Sequence, residues 1–280
     1  MRSTPQSSPR FDTVPRAATV ARHVELDPRL DPASIGSGIS VVFPVFNEAM
    51  IIEQTVNDYF DELNGKVPFE MVVAEDGSTD DTKMVLRRLG ATLPIRIYTG
   101  ANRKGYLAAV KDAVALAERD WIFLVDSDYQ FAAIDFWRLV PLMASHDIIL
   151  GKKSPRMDPY YRVLLSRGLN LLLRWLFRVP YADMDTGFRL MRREPVTRLA
   201  PLVHHFAFFT AEFVVRCHMA GYRIAEVPVS HYARKAGATQ IFYVSRLPII
   251  VLRQLRGLWR LRRELWKTGR GPSQSPDRTG

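Results

Sequence analysis

Trp121-Ile122-Phe123-Leu124-Val125-Asp126-Ser127-Asp128 is an apolar run of five residues that ends, without a break, in two carboxylates. A run of that length and composition reads as a buried strand with its polar end at an edge of the sheet. Similar runs flank it at Ile39–Phe43, Phe69–Ala74, Ile95–Tyr98, Ile148–Leu150, Phe188–Met191 and Ile224–Val229. Helical stretches fall between them: Ala49–Leu63, Asp80–Leu89, Lys104–Glu118, Ile134–Ser145, Tyr160–Phe177 and Ala211–Ala220. Strand alternating with helix predicts an α/β fold whose sheet is largely parallel at first, and no internal repeat interrupts it.

In such a sheet ligands bind beyond the carboxyl ends of the strands. After the first strand come Pro44, Asn47 and Glu48; after the second, Glu75, Asp76, Gly77 and Ser78; after the central run, Asp126, Ser127, Asp128 and Gln130. Any one group alone reads equally well as a helix cap, and the stretch from Asp76 to Asp80 in particular could simply start a helix. Together they gather negative charge in one cleft, which requires a cation or hydrogen-bond donors. Asp126 and Asp128, with Gln130 beside them, suit a hard divalent ion that keeps positions open for phosphate oxygens. Glu75 and Asp76 suit the ring N–H and hydroxyl groups of a base and ribose, with Gly77 permitting close approach. Arg103 and Lys104, ahead of Gly105, offer cations to the same pocket, although each alone reads as solvated surface charge.

The composition bounds the alternatives. The chain has 280 residues, 47% of them hydrophobic and 24% charged, which suits one large α/β domain or two small ones. Cys217 is the one cysteine, so a disulfide scaffold is excluded, and it reads as a small apolar helix residue. No apolar run approaches the roughly 18–20 residues that cross a bilayer, and no signal peptide is expected. There is no P-loop, no G-x-G-x-x-G between a strand and a helix, no G-x-S-x-G elbow, and no zinc-ligand spacing among the six histidines. The formal charge is +10, and the stretch Arg246 to Arg270 carries eight Lys/Arg against Glu264, a net +7. An anionic partner is therefore expected at that end. A nucleic-acid partner is set aside, because carboxylates at three strand ends would repel phosphate without a metal.

The motifs in order are Phe43-Pro44-Val45-Phe46-Asn47-Glu48, Glu75-Asp76-Gly77-Ser78-Thr79-Asp80-Asp81-Thr82 and Asp126-Ser127-Asp128. They are followed by Asp183-Met184-Asp185-Thr186-Gly187-Phe188-Arg189, Glu226-Val227-Pro228-Val229 and His231-Tyr232-Ala233-Arg234-Lys235-Ala236-Gly237-Ala238-Thr239. This set resembles the inverting family 2 glycosyltransferases, and within them the dolichyl- and polyprenyl-phosphate sugar (mannose or glucose) synthases, over roughly residues 38 to 265. The resemblance implies a GT-A fold, a Rossmann-like and mostly parallel sheet flanked by helices. It also implies a UDP- or GDP-hexose donor, and Mg²⁺ or Mn²⁺. It assigns Pro44, Phe46, Glu48, Glu75, Asp76, Arg103, Lys104, Asp126 and Ser127 to the donor nucleotide. Three positions depart from the usual pattern: Phe46 in place of Tyr, Leu107 in place of a second Gly, and Gly151-Lys152-Lys153 in place of Gly-Ser-Arg.

A polyprenyl phosphate acceptor is already anionic and mainly needs cations, whereas a hydroxyl acceptor needs a base. Arg162, Arg167, Arg234 and Lys235 are the candidate cations, with Arg234 placed by the resemblance at the acceptor phosphate. Asp183 and Glu212 match cleft positions in the family and are the candidate bases for a hydroxyl acceptor. Asp128, Asp183, Glu212 and Arg234 thus form the expected catalytic set. Residues 241–270 read as a basic amphipathic helix, started or kinked by Pro248, that lies on an anionic membrane or packs on the core. The expected organisation is a disordered tail over 1–38, a glycosyltransferase domain over 39–240, that helix, and a second tail over 271–280. The enzyme is expected to be intracellular and peripheral on the cytoplasmic face of a membrane, alone or with a membrane-protein partner.

Overall fold

The computed structural model describes residues 12–13, 28, 30–206, 209–234 and 247–267. Strands β1 (Asp12–Thr13), β2 (Ile39–Val45), β3 (Phe69–Glu75), β4 (Ile95–Thr99), β5 (Trp121–Val125), β6 (Ile148–Lys153), β7 (Phe188–Arg192) and β8 (Ile224–Val229) form one sheet. Its order is β1-β4-β3-β2-β5-β7-β6-β8. The block β4-β3-β2-β5 is parallel throughout, as the alternating pattern requires. β7 then enters antiparallel between β5 and β6, and β8 runs parallel to β6.

Successive side chains of a strand point to opposite faces, so each buried strand feeds two cores. Val41, Phe43, Val73 and Phe123 pack with α2 (Ile52–Leu63) and α3 (Thr82–Thr92) on one face. Val42, Val72, Ile122 and Leu124 share the other face with α4 (Tyr106–Ala115), α6 (Tyr160–Phe177), α7 (Arg193–Leu199), α8 (Phe209–Met219) and α9 (Leu247–Lys267). β5 is buried at every position, which is why its sequence is apolar without alternation. Cys217 is buried among the apolar residues of α8, where burial pushes its thiol up.

The expected helix over Ile134–Ser145 is instead a 3₁₀ turn (Ala133–Asp135), one turn of helix α5 (Phe136–Leu139) and a second 3₁₀ turn (Val140–Leu142). Pro141 has no N–H to continue an α-helix, and the chain tightens around it. Packing also begins before the expected boundary at residue 38. Asp31 caps the short helix α1 (Pro32–Ile35), Leu30 and Ile35 are buried, and Trp121 Nε1 donates to the Ser34 carbonyl at 2.7 Å. Asp12–Thr13 of that expected tail form β1, antiparallel to β4, while residues 1–11, 14–27, 29, 241–246 and 268–270 and the expected tail over 271–280 lie outside the described residues. α9 begins at Leu247 with Pro248 in its first turn, where a missing N–H is harmless.

Candidate active site

β2 pairs with β3 along its whole length, but with β5 only as far as Val42 and Leu124. Pro44, which cannot donate to a ladder, stands just past that point, so the two strands part without leaving an orphan donor. The chain has run from β2 to β3 and β4 on one side and returns to place β5 on the other. This is the topological switch point at which open α/β sheets bind ligands. A cavity of about 430 Å³ opens there.

Asp126 and Asp128 project from the end of β5 into this cavity. Asp126 accepts a hydrogen bond from the Tyr106 hydroxyl at 2.9 Å. Its other oxygen lies against Gly187, where an added Cβ would stand 1.7 Å from Asp126 Oδ2. Glycine is therefore a steric requirement in the Asp183–Gly187 segment. Burial pushes the Asp126 carboxyl up against the pull of Tyr106, Lys153, Arg189 and Arg234, and burial plus Asp126 pushes Asp128 up to about 6. Two hard oxygen donors destabilised by mutual proximity fit Mg²⁺ or Mn²⁺. Arg234 pairs with Glu48 and stands 3.7 Å from Asp128. Glu48 is nevertheless raised to about 7 by burial, Arg234 opposing and Asp128 adding to the rise. Arg189, fully buried, donates to the carbonyls of Met184, Thr186 and Thr210 and so ties the 184–187 segment to the start of α8.

The loops after β2 and β3 are laced together. Asn47 N donates to Ser78 Oγ at 2.9 Å, Thr79 N to Asn47 Oδ1 at 2.9 Å, and Glu48 N to Thr82 Oγ1 at 2.9 Å. Asp80 caps the first turn of α3 through Thr82 N at 3.0 Å. Much of the second motif is therefore scaffold. Asp76 accepts from the backbone N–H groups of Lys104 and Gly105, both at 2.8 Å, and fixes the entry to α4. Gly77 has φ +70°, and a Cβ there would meet the Asn102–Arg103 backbone at 2.4–2.5 Å. The Arg103 guanidinium lies over the Phe46 ring at 4.0 Å. These two side chains border both the main cavity and a more open recess lined by Asn47, Gly77, Ser78, Thr79 and Lys83. Glu75 accepts from Ser78 N through one oxygen, while its buried Oε2 has no hydrogen bond and lies 4.0 Å from Lys83 Nζ.

The far side of the cavity is cationic, then apolar. Lys153, Arg156 and Arg162 line it with Asp158 and Asp185. Asp185 accepts from Ser166 Oγ at 2.8 Å and lies 3.5 Å from Arg156. Burial raises Asp185, but Lys153, Asp183 and Arg156 outweigh it and hold the carboxyl well below the usual range, while Asp183 rises to about 6. Beyond them Leu164, Leu165, Leu169 and Leu172 of α6 face Val251, Leu255 and Leu258 of α9 across the same cavity.

Of the sequence-based assignments, Pro44, Phe46, Glu48, Asp76, Arg103, Asp126, Ser127, Asp128, Gln130, Arg162 and Arg234 line the cavity. Ser127 Oγ donates to the Pro44 carbonyl, and Gln130 Nε2 to that of Tyr232. Lys104 reaches the site only through its backbone, its ammonium pairing with Asp112. Arg167 stands on the exposed side of α6, away from the lining residues. Asp183 is buried behind Lys153, accepting from its backbone N–H at 3.0 Å and its ammonium at 3.3 Å. Glu212 is a correction to the expected catalytic set. It is fully buried, accepts the backbone N–H groups of His204, His205 and Phe206, and pairs with Arg216 at 2.7 Å. Its side chain closes the N-terminal end of α8 instead of facing the cleft. His204 and His205, their rings 4.1 Å apart and tilted by 45°, stand with Glu212 close by, but this carboxylate is already filled by backbone N–H groups and Arg216. Lys235 lies outside the described residues. Lys153, Arg156, Tyr106 and His231 were missed, and the basic Lys152-Lys153 pair at the end of β6 was the available signal for the first. His231 is buried at the cavity with Nδ1 accepting from Met157 N at 3.1 Å, and burial lowers it to about 4.

Comparison with known proteins places this geometry. The chain is 32% identical over 238 residues to glycosyltransferase AglD of Haloferax volcanii, covering 81% of this chain but 38% of that relative's length. It is 24% identical over 251 residues to a dolichyl-phosphate beta-glucosyltransferase of Dictyostelium discoideum, covering 80% of this chain and 77% of the relative. Among solved structures, the glucosyl-3-phosphoglycerate synthase of Mycobacterium tuberculosis in complex with Mn²⁺, UDP and phosphoglyceric acid superposes with a TM-score of 0.63 at 19% identity. That match covers 82% of this chain and 80% of the other, and it shows the GT-A fold. The model of glycosyl transferase family 2 matches residues 40–199, from the first core strand through the carboxylate pair to α7, and the chain belongs to that family.

Proposed function

We propose that the chain is a metal-dependent, inverting hexosyltransferase that moves a sugar from a nucleotide diphosphate to a polyprenyl phosphate at an anionic membrane surface. One observation carries this reading. A single cavity runs from the Asp126–Asp128 pair through Lys153, Arg156 and Arg162 to apolar walls on α6 and α9, the sequence of chemistries of a phosphorylated lipid. The Dictyostelium relative's name points the same way.

Asp126 and Asp128 would hold Mg²⁺ or Mn²⁺, which supplies charge neutralisation for the departing diphosphate. The remaining roles fall to side chains of the chain itself. Arg103 on Phe46, with Asp76 holding the turn, walls the nucleotide side. Asp76, which lines the cavity, is the carboxylate on the base and ribose side, whereas Glu75 is buried outside the lining. Lys153, Arg156 and Arg162 hold the acceptor phosphate as its oxygen attacks the anomeric carbon and the bond to the diphosphate breaks. An anionic acceptor has no proton to lose, which agrees with Asp183 and Glu212 both being engaged in ion pairs.

α9 supplies the surface. Leu258, Leu261 and Leu265 are buried, while Leu252, Leu255, Trp259, Trp266 and the five arginines from Arg253 to Arg263 are exposed. Leu171 and Trp175 of α6 add to the exposed apolar area. No helix among the described residues is long and apolar enough to cross a membrane. An interfacial helix on a cytoplasmic, anionic leaflet fits these facts. The test is transfer from radiolabelled UDP-glucose and GDP-mannose, with Mn²⁺, to a polyprenyl phosphate in vesicles. Label partitioning into organic solvent supports the reading. Label found only in water-soluble product with 3-phosphoglycerate or a sugar acceptor overturns it in favour of a soluble acceptor.

A further inference from the structure

Gln254 is a polar residue in the wrong company. It lies on α9 within the apolar wall of the cavity, between Val251, Leu255 and Leu258, and only 8% of it is exposed. Its amide oxygen is buried and accepts no hydrogen bond. Buried acceptors are nearly always paired, so an unpaired one on a residue that lines a ligand cavity calls for a donor that the ligand can bring. The wall that carries it is firmly seated. Gly257, one turn along, lies directly on the chain at His205, where an added Cβ would stand 2.5 Å from the carbonyl oxygen. Glu264 then pins the helix by pairing with Arg216 at 2.9 Å and with His205 at 2.5 Å. The side chain is therefore held at the cavity by a helix fixed at two points.

The acceptor proposed above cannot supply the missing donor. A polyprenyl phosphate is a hydrocarbon with an anionic head and offers no hydrogen to an amide oxygen. Of the hydrogen-bond donors that a transfer brings into this cavity, those of the base and ribose belong to the side of Asp76 and Arg103, which leaves the hydroxyl groups of the sugar for α9. We propose that Gln254 Oε1 accepts a hydrogen bond from a hydroxyl of the transferred hexose, which makes α9 part of the sugar site and Gln254 a specificity-determining residue. The inference rests on the nucleotide-sugar reading, and the same hydroxyl chemistry on a soluble acceptor is the competing source.

The experiment compares wild type with Gln254→Met, which keeps length and volume but removes the acceptor. UDP-glucose, GDP-mannose and their monodeoxy analogues are assayed as donors, with polyprenyl phosphate as acceptor. One hydroxyl deletion should lower wild-type kcat/KM on the order of 10-fold or more. Gln254→Met should lose activity with the parent sugar by a similar factor and lose discrimination against that one analogue, with other deletions still felt. Affinity for UDP or GDP with Mn²⁺, by calorimetry, should stay within twofold. If nucleotide binding is absent in the wild type, the nucleotide-sugar reading has failed. If it is present and Gln254→Met, folded by melting curve, keeps wild-type activity and hydroxyl discrimination, Gln254 has no role in sugar recognition. Discrimination that tracks hydroxyls of a soluble acceptor instead assigns Gln254 to the acceptor and overturns the proposal.

Discussion

At the strand-end edge of the cavity the polar side chains are bonded to their neighbours, whereas on the helical wall they are held by what lies behind them. Asn47, Ser78, Thr79, Asp80 and Thr82 bond to one another across two loops, and Asp126 is wedged between Tyr106 and Gly187. The wall of α6 and α9 is lined with leucines, and its cations rest on Asp158, Asp183 and Asp185. A laced edge tolerates no displacement and would, on the proposed function, define where the diphosphate sits. A leucine wall accepts chains of varying shape and defines mainly what kind of acceptor enters.

If that contrast holds, the largest effect belongs to the edge. Asp128→Asn should lower transfer by about 10³-fold or more, since several kcal/mol of charge neutralisation is lost, and the melting temperature should hold or rise. Undiminished activity in this variant, or in wild type treated with EDTA, would remove the metal from the account. Next comes the outer face of α9. Changing Arg253, Arg256, Arg260 and Arg263 to Gln should weaken sedimentation with anionic vesicles by about 100-fold, at about 1 kcal/mol per residue less screening. Nucleotide affinity should not change, and wild-type sedimentation by the folded variant would make α9 structural only.

Gly187→Ala probes the wedge itself. Its Cβ has no room beside Asp126, so Mn²⁺ affinity should fall by roughly 10- to 100-fold, as for the loss of an orienting partner. Normal Mn²⁺ titration with an unshifted fold would show the edge to be softer than its bonding suggests. The smallest effect is on the seating of α9. Burial alone would raise Glu264, but Arg216 and His205 outweigh it and hold the carboxyl down at about 2. A depressed carboxyl contributes stability above its ordinary value near 4.5, and that contribution fades as pH falls toward 2. The fluorescence of Trp259 and Trp266 should therefore change between about pH 5 and pH 2 in wild type, and much less in Glu264→Gln. Identical profiles would show that this carboxylate does not pin the helix.

The readable part of the molecule is the part whose cause is local. The run Trp121–Val125 is apolar because both faces of β5 are covered, and Asp126 and Asp128 follow at once because the strand has reached an edge. Strand and helix periodicity conveyed the α/β class in the same way, and Pro44 and Gly77 stand where the backbone demands them. The failures have one physical origin. Glu212 is an acid on a helix in sequence, and only the fold turns residues 204–206 back onto it and buries the pair with Arg216. Arg162 and Arg167 look alike along the chain, yet the rotation of α6 sends one into the cavity and the other to solvent. Lys153 and Arg156 are held on one wall of the cavity by carboxylates nearly 30 residues away, at Asp183 and Asp185. Gln254 becomes an unpaired acceptor because α9 folds across the mouth of a site that begins two hundred residues earlier at Pro44. Backbone hydrogen bonding and side-chain periodicity act over a few residues and leave their mark in the sequence. Burial and pairing of charge depend on which surfaces meet, and that is decided only when the helices close on the sheet.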